Sequence, residues 1–216
     1  MTASTQFRSL LLVGGAPRVP VDAVRHLTVH ATGTTVCQLA QACADLPCRL
    51  LLSIDARHDA RAERFRNREE LEAAVQRWIA AHPDGVLVLS AAINDYRVDR
   101  VEARRGDRWT THPPSAKVPS GADELRIRLR PASKVVDRLH DWGHRGPLVA
   151  FKYQAAGSVR QAARDLHRRV GADLVVANSL DGSVQELVSA TGQEVFPDRP
   201  ALMEALAVHL RRLAKR

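Results

Sequence analysis

Five short apolar runs set the terms for this chain: RSLLLV (8–13), RLLLSI (49–54), VLVLSA (86–91), PLVAFKY (147–153) and ADLVVANSL (172–180). Their apolar residues are consecutive rather than alternating. A strand of that kind has both faces buried, which is the condition inside a parallel sheet. Between the runs lie segments with helical spacing. Residues 33–46 carry Val36, Leu39, Ala40 and Cys43 on one face, and 69–81 carry Leu71, Ala74, Val75 and Trp78. Further helices are predicted over SKVVDRLHDWG with Ser133 as N-cap, over SVRQAARDLHRRVG closed by Gly171 at C′, and over 200–214. Strand and helix in alternation predict a parallel α/β sheet with helices on both faces. The chain is expected to form one unit over residues 1–216, with a loop or hairpin insertion at about 98–124. ELRIRLR (124–130) alternates strictly, so a half-exposed strand is expected there. Residues 55–68 read as a loop or exposed helix start, and 183–196 as a hairpin.

Composition narrows the function classes. The net charge is +8, but only Lys117, Lys134, Lys152 and Lys215 among the 32 cationic residues are lysines. The arginines are dispersed, with no dense basic block and no aromatic stripe among them, so nucleic acid is not the expected partner. Excess positive charge instead suits small anionic substrates. No stretch approaches a membrane span, and the opening MTASTQFRSLLLVGG reads as a first strand rather than a signal peptide. A cytoplasmic location is the expectation. Cys37, Cys43 and Cys48 have no metal-pair spacing and read as small buried thiols. There is no phosphate loop of the G-x-x-x-x-G-K type, no G-x-G-x-x-G, no nucleophile elbow, and no metal-binding histidine pair. No metal ligands are assigned.

In parallel sheets, ligands bind beyond the carboxyl ends of the strands. Here those ends carry Gly14-Gly15, Ala91 to Asp95, Phe151-Lys152 and Asn178. Ala91 and Ala92 are small enough for a ligand to approach the backbone. Asp95 is an acceptor for an amine or hydroxyl, and Lys117 is a cation on a loop. Groups of this kind suit nucleotidyl or phosphoryl transfer, where positioning and charge stabilisation do most of the work. From the residues alone, a plain turn at Gly14-Gly15, a turn role for Asp95 and a solvated Lys117 stand equally open.

The ordered string is far more specific. GGAPRVPVDAVRHLTVHATG, SAAINDYRV, AKVPSG, LRIRLRPASKVVDRLHDW, LVAFKYQA and ADLVVANSL together resemble the phosphopantothenoylcysteine synthetase family. This is the phosphopantothenate–cysteine ligase, or CoaB-like, domain of the DNA/pantothenate metabolism flavoproteins. The resemblance covers nearly the whole chain and is similar in its later part to the free-standing, eukaryotic-type members. It implies a Rossmann-like three-layer α/β/α fold with a mainly parallel sheet, working as a homodimer. It implies that CTP or ATP, accompanied by Mg2+, activates the carboxylate of 4′-phosphopantothenate, and that cysteine then displaces the nucleotide. No flavin is expected, because the flavin-binding domain that often precedes this one is not in the sequence.

Position by position, the resemblance places Gly14, Gly15 and Gly33 at the nucleotide phosphates, Phe151 and Asn178 on the nucleotide, and Lys152 near it. Ala91, Ala92 and Asp95 lie against nucleotide and substrate. Lys117 is the family's mobile lysine, and Arg25 reaches the substrate of a neighbouring subunit. The segment Val29-His30-Ala31-Thr32-Gly33-Thr34-Thr35-Val36 departs from the family's Asn-x-Ser-Ser-Gly-x-x-Gly pattern. Val29 stands for an asparagine that serves the second step, and valine makes no side-chain hydrogen bond. His30 is the substitute contact expected on the substrate. Val36 stands for a glycine. FKYQA lacks a carboxylate found in the family, and VEARRGDRWTTHPP lengthens the path from Asp95 to Lys117. An active ligase and a catalytically impaired paralogue that binds nucleotide or a pantothenate derivative are therefore both carried forward. A ligase of the same type acting on another acid is a third reading.

Overall fold

The computed structural model describes residues 7–57, 59–113 and 115–215. In chain order the elements are β1 (Leu10–Gly14), β2 (Val19–Pro20), β3 (His26–Leu27), α1 (Thr34–Ala42), β4 (Cys48–Ser53), β5 (Glu63–Phe65), α2 (Arg68–Ala81) and β6 (Val86–Leu89). There follow β7 (Tyr96–Arg105), β8 (Arg108–His112), β9 (Glu124–Pro131), α3 (Val135–Arg138), β10 (Leu148–Gln154), α4 (Ala156–Val170), β11 (Leu174–Ser179), β12 (Gln185–Ser189), β13 (Gly192–Val195) and α5 (Arg199–Ala214).

The five apolar runs form the centre of an eight-stranded sheet ordered β13-β12-β11-β10-β6-β1-β4-β5. All its pairings are parallel except those of the β12–β13 hairpin. The unbroken apolar runs are explained by the two cores they feed. Leu11, Val13, Leu87 and Leu89 face α2, α3 and α4, whereas Leu10, Leu12, Val86 and Val88 face α1 and α5. This is the expected Rossmann-like α/β/α arrangement. From β1 the chain moves to β4 on one side and later returns to β6 on the other. The crevice beyond β1 and β6 is therefore a topological switch point, where such sheets bind ligands. Ser90 N–H donates to the Val13 carbonyl and Ala92 N–H to the Gly15 carbonyl, both at 2.9 Å, so the loop after β6 is fastened to the end of β1.

Local signals explain the helix ends. Asn67 caps α2 by accepting from Glu70 N, while the Glu70 carboxylate accepts from Arg66 N. Asp198 caps α5 through Ala201 N, and Gly171 ends α4 in the left-handed conformation. Ser133 does not cap α3, which starts from Lys134 without a side-chain cap. Its carbonyl instead accepts from the Arg68 guanidinium.

Residues 96–131 form a separate antiparallel sheet, β8-β7-β9. The excursion thus contains a hairpin, and the alternating ELRIRLR segment joins it as edge strand β9. Exposure there exceeds the half expected: Leu125, Ile127 and Leu129 are all about 40% exposed, and the arginines between them are exposed as well. Residues 55–68, expected as loop, hold β5, whose Phe65 is fully buried. Among the described residues no helix is long and apolar enough to cross a membrane.

Cys37 and Cys43 are buried in the α1 core, and Cys48 is half-buried. Burial, with Cys43 adding to it, pushes the Cys48 thiol up to about 11. At pH 8 only roughly a thousandth of such a thiol is thiolate, the reactive form. The native chain is therefore expected to react slowly with Ellman's reagent, with three thiols released promptly on adding denaturant. Fast reaction of one thiol in the native chain would contradict this.

Candidate active site

Three glycines bring the first turn of α1 against the end of β1. A Cβ on Gly14 would lie 2.3 Å from Val36 Cγ2, and one on Gly15 2.2 Å from Ser53 Oγ. Gly33, at φ 70°, precedes α1, and its missing Cβ leaves room for Leu52, Ala56 and the Gly15 backbone. Val36, which stands where the family has glycine, turns its side chain into the core beneath Gly14 and is wholly buried. The substitution is thereby absorbed into packing. Gly14-Gly15 is not a plain β-α turn, since β2 and β3 intervene before α1.

Beyond β6 and β10 lies a cleft of about 380 Å³. Ala91, Ala92, Asn94 and Asp95 line one wall and Phe151, Lys152 and Tyr153 another, with Lys134, Arg68 and Val29 at its margins. Among the described residues Asp95 is its only carboxylate, and Lys134 Nζ lies 4.0 Å from Asp95 Oδ2. Both side chains are about half exposed, so the pair contributes at most about 1 kcal/mol. Both remain accessible to a ligand. Asn94 Oδ1 accepts from Tyr96 N, and Ala132 N donates to the Asp95 carbonyl, which joins this loop to the start of β7 and the end of β9.

Asn178 lies at the end of β11, on the same sheet face as Phe151, and is almost buried. Its Nδ2 donates to Gln185 Oε1 at 2.7 Å, and Gln185 Nε2 donates in turn to the Gly182 carbonyl. Gln185 thus fixes which way the Asn178 amide points. The turn that carries Gln185 is held by Asp181, which accepts from Ser179 Oγ and from both Ser183 N and Oγ. These contacts keep the Asp181 carboxyl at about 2.

A second cleft of about 550 Å³ shares Arg68, Ile93, Asn94 and Ser133 with the first. Arg18, Arg97 and Arg138 also line it, together with Glu69 and Glu72. At the boundary, Glu72 accepts from Arg68 at 2.6 Å and from Arg138 at 3.4 Å, which fixes the Arg68 head where the clefts meet.

The structure thus gathers Ala91, Ala92, Asp95, Phe151 and Lys152 into one cleft, with Asn178 and the three glycines at the same end of the sheet. His30 is exposed and is not part of either cleft lining. Arg25 lies on the β2–β3 turn beside Asp22, and Lys117 is exposed on the segment that crosses the three-stranded sheet. Neither lines the cleft. Gln185, Lys134 and Arg68 are the additions to the residues expected from sequence. Only Lys134 had a signal of its own, as one of four lysines in an arginine-rich chain.

Chemically, the cleft offers an aromatic face for a base, two alanines over which a ligand can approach the backbone, one acceptor carboxylate, and ammonium groups for phosphate or carboxylate oxygens. Among the described residues no group of three or more His, Cys, Asp or Glu is placed to hold a metal ion.

Comparison with known proteins agrees with this fold. The chain is 27% identical over 209 residues to the coenzyme A biosynthesis bifunctional protein CoaBC of Thermococcus kodakarensis. That match covers 92% of this chain and 48% of the relative, so the chain spans about half the length of the curated relative it matches. Among solved structures, the DNA/pantothenate metabolism flavoprotein from Streptococcus pneumoniae superposes with a TM-score of 0.73 at 18% identity, covering 95% of this chain and 97% of that one. The C-terminal domain of a coenzyme A biosynthesis bifunctional protein CoaBC gives 0.66 at 19%, covering 96% and 94%. A Cab2 mutant in complex with phosphopantothenate-cysteine gives 0.72 at 13%, covering 95% and 85%. At these identities the structural likeness speaks for the fold. Residues 5–206, nearly the entire chain, match the family described as the DNA/pantothenate metabolism flavoprotein C-terminal domain, and the chain belongs to that family.

Proposed function

We propose that this protein is a phosphopantothenate–cysteine ligase. The observation that carries the reading is the convergence of Ala91, Ala92, Asp95, Phe151 and Lys152 on one cleft beyond β6 and β10, beside the switch point of a sheet of this family. The carboxylate of 4′-phosphopantothenate attacks the α-phosphorus of CTP or ATP, and pyrophosphate leaves. The amine of cysteine then attacks the acyl carbon, the amide forms, and nucleoside monophosphate leaves. Phe151 packs on the base, and Asn178, oriented by Gln185, contacts the nucleoside. The backbone at Ala91 and Ala92 meets the substrate, Asp95 accepts from it, and Lys152 and Lys134 offset the charge of the bound anions. Gly14, Gly15 and Gly33 let the phosphates approach the backbone. Arg25 and Lys117 supply further cations, Arg25 across a homodimer. The exposed apolar side chains of edge strand β9 are the surface that a second copy would cover. Among the described residues Asp95 is the one carboxylate lining the cleft, a donor set that would suit a Mg2+ brought in with the triphosphate, which would supply neutralisation of phosphate charge.

One observation favours a second reading. Val29 lines the cleft with its side chain 44% exposed, where the family resemblance calls for an amide. A paralogue that binds these ligands without completing the second step has that wall. Incubation with 4′-phosphopantothenate, cysteine and CTP or ATP decides between them. The ligase is expected to release pyrophosphate and form the amide in equal amounts. Ligand binding without amide would transfer the assignment to the second reading.

A further inference from the structure

Asp22 occupies an unusual position for a carboxylate. It sits on the β2–β3 turn, followed by exposed residues 23–26, yet its own side chain is wholly buried. Oδ1 accepts from Val24 N at 2.9 Å and Arg25 N at 2.7 Å. Oδ2 accepts from Arg25 Nη1 at 3.0 Å and, across 96 residues, from Val118 N at 3.1 Å. Burial pushes this carboxyl up, but the three backbone N–H groups and the Arg25 charge outweigh it and hold the group ionised. Val118 is itself fully buried against Val21, Val101 and Ala103. The chain immediately after Lys117 is therefore fixed twice, by a side chain in a small core and by an N–H on Asp22. The Lys117 ammonium has no hydrogen-bond or ion-pair partner among the described residues. The Arg25 side chain is 42% exposed.

We propose that Asp22 is a positioning residue that ties Arg25 and the peptide following Lys117 to one point, so that the placement of both cations, one of them serving a neighbouring subunit, depends on a single carboxylate. This rests on the ligase reading for what the cations meet, though the tie itself is a property of this chain. Packing of Val21, Val101 and Val118 already joins the segments. What the carboxylate adds is direction. One of its oxygens aims the Arg25 guanidinium and the same oxygen sets the peptide that carries Lys117. An apolar residue at position 22 would bury the segments but aim neither cation.

Asp22→Asn keeps the shape and one acceptor while removing the charge. In the full chain its kcat for pyrophosphate release, with CTP or ATP, is expected to fall roughly 10- to 100-fold, the scale of a small misplacement of a reacting group. Val101→Ala loosens the same small core without touching the tie, and is expected to lower the melting temperature with kcat of the folded protein unchanged. In an Arg25→Ala, Lys117→Ala background, Asp22→Asn is expected to cost no more than about twofold. A full loss in that background, or a kcat that follows melting temperature across Asp22→Asn and Val101→Ala alike, overturns the positioning role. Hydrogen exchange gives a readout without turnover. Asp22→Asn should speed exchange at Val118 and leave β1 and β6 protected, and unchanged exchange at Val118 would overturn the tie. A wild-type chain that releases no pyrophosphate would defeat the ligase reading, and the exchange result would then decide the tie by itself.

Discussion

Replacing Val29 by asparagine is expected to raise the rate of amide formation roughly 10- to 100-fold, with pyrophosphate release changed by no more than about twofold. One positioned hydrogen bond to a developing charge is worth about 10²–10³ in rate, and an amide introduced without its supporting contacts recovers part of that. The position is suited to the test. Val29 lines the cleft and is 44% exposed, so an asparagine there enters solvent-accessible space and needs no repacking. Its neighbours do not supply the missing group. Thr32 Oγ1 is engaged with Thr34 Oγ1 at 2.8 Å, and His30 is outside the cleft lining. Amide is read by mass spectrometry and pyrophosphate by a coupled assay, at saturating cysteine. The ratio of the two is the decisive quantity. A ratio near one in the wild-type chain, unmoved by Val29→Asn, would mean that the second step does not depend on a group at this position. Two of the departures in this segment, Val29 and Val36, also separate cleanly. Val36 is buried beneath Gly14 and packs into the core, whereas Val29 is exposed in the cleft lining, where a change is expected to act on the reaction rather than on stability.

The parallel core was legible because a strand buried on both faces must be apolar throughout, and RSLLLV, VLVLSA and PLVAFKY satisfy that rule without ambiguity. β5 was not, because its three residues include a single buried side chain, Phe65, and its ladder to β4 leaves no local period. The alternation in β9 correctly marked a strand. It could not fix exposure, since alternation distinguishes two faces without saying whether anything covers either one. The same division holds at the site. Ala91, Ala92, Asp95, Phe151 and Lys152 follow strands that a parallel sheet obliges to end together, so their convergence is a consequence of topology. The hydrogen bond that orients Asn178 passes through Gln185 on an antiparallel neighbour, and the tie from Asp22 to Val118 spans 96 residues. The first partner depends on the register of the β11–β12 ladder and the second on how the β2–β3 turn packs on the three-stranded sheet, and no period in the sequence marks either.

Gly15→Ala is expected to be the most damaging single-methyl substitution at this end of the sheet, lowering the melting temperature by roughly 10 °C. Gly15 has φ 82°, where a side chain costs about 1–2 kcal/mol. The added Cβ would also lie 2.2 Å from Ser53 Oγ and 2.9 Å from Ser53 Cβ. Ser53 is 1% exposed and cannot swing away freely, and its hydroxyl accepts from Ala16 N at 3.1 Å. Displacing it leaves a buried N–H without its acceptor, a further cost of about 1–3 kcal/mol. Together these amount to about 2–5 kcal/mol, and for a domain of this length each kcal/mol moves the melting temperature by about 2–4 °C. Gly106→Ala provides the control. It shares a positive φ, of 55°, but its Cβ would meet nothing within 4 Å, so only the backbone cost of about 1–2 kcal/mol applies. Equal melting shifts for the two variants would show that Ser53 yields without cost and that the close approach is not what requires glycine. A larger shift for Gly15→Ala carries a functional consequence as well. The Gly15 carbonyl accepts from Ala92 N, so a backbone displaced at Gly15 moves the wall on which substrate and nucleotide are expected to lie. The glycine therefore acts at one point on both the packing of the switch point and the shape of the cleft above it.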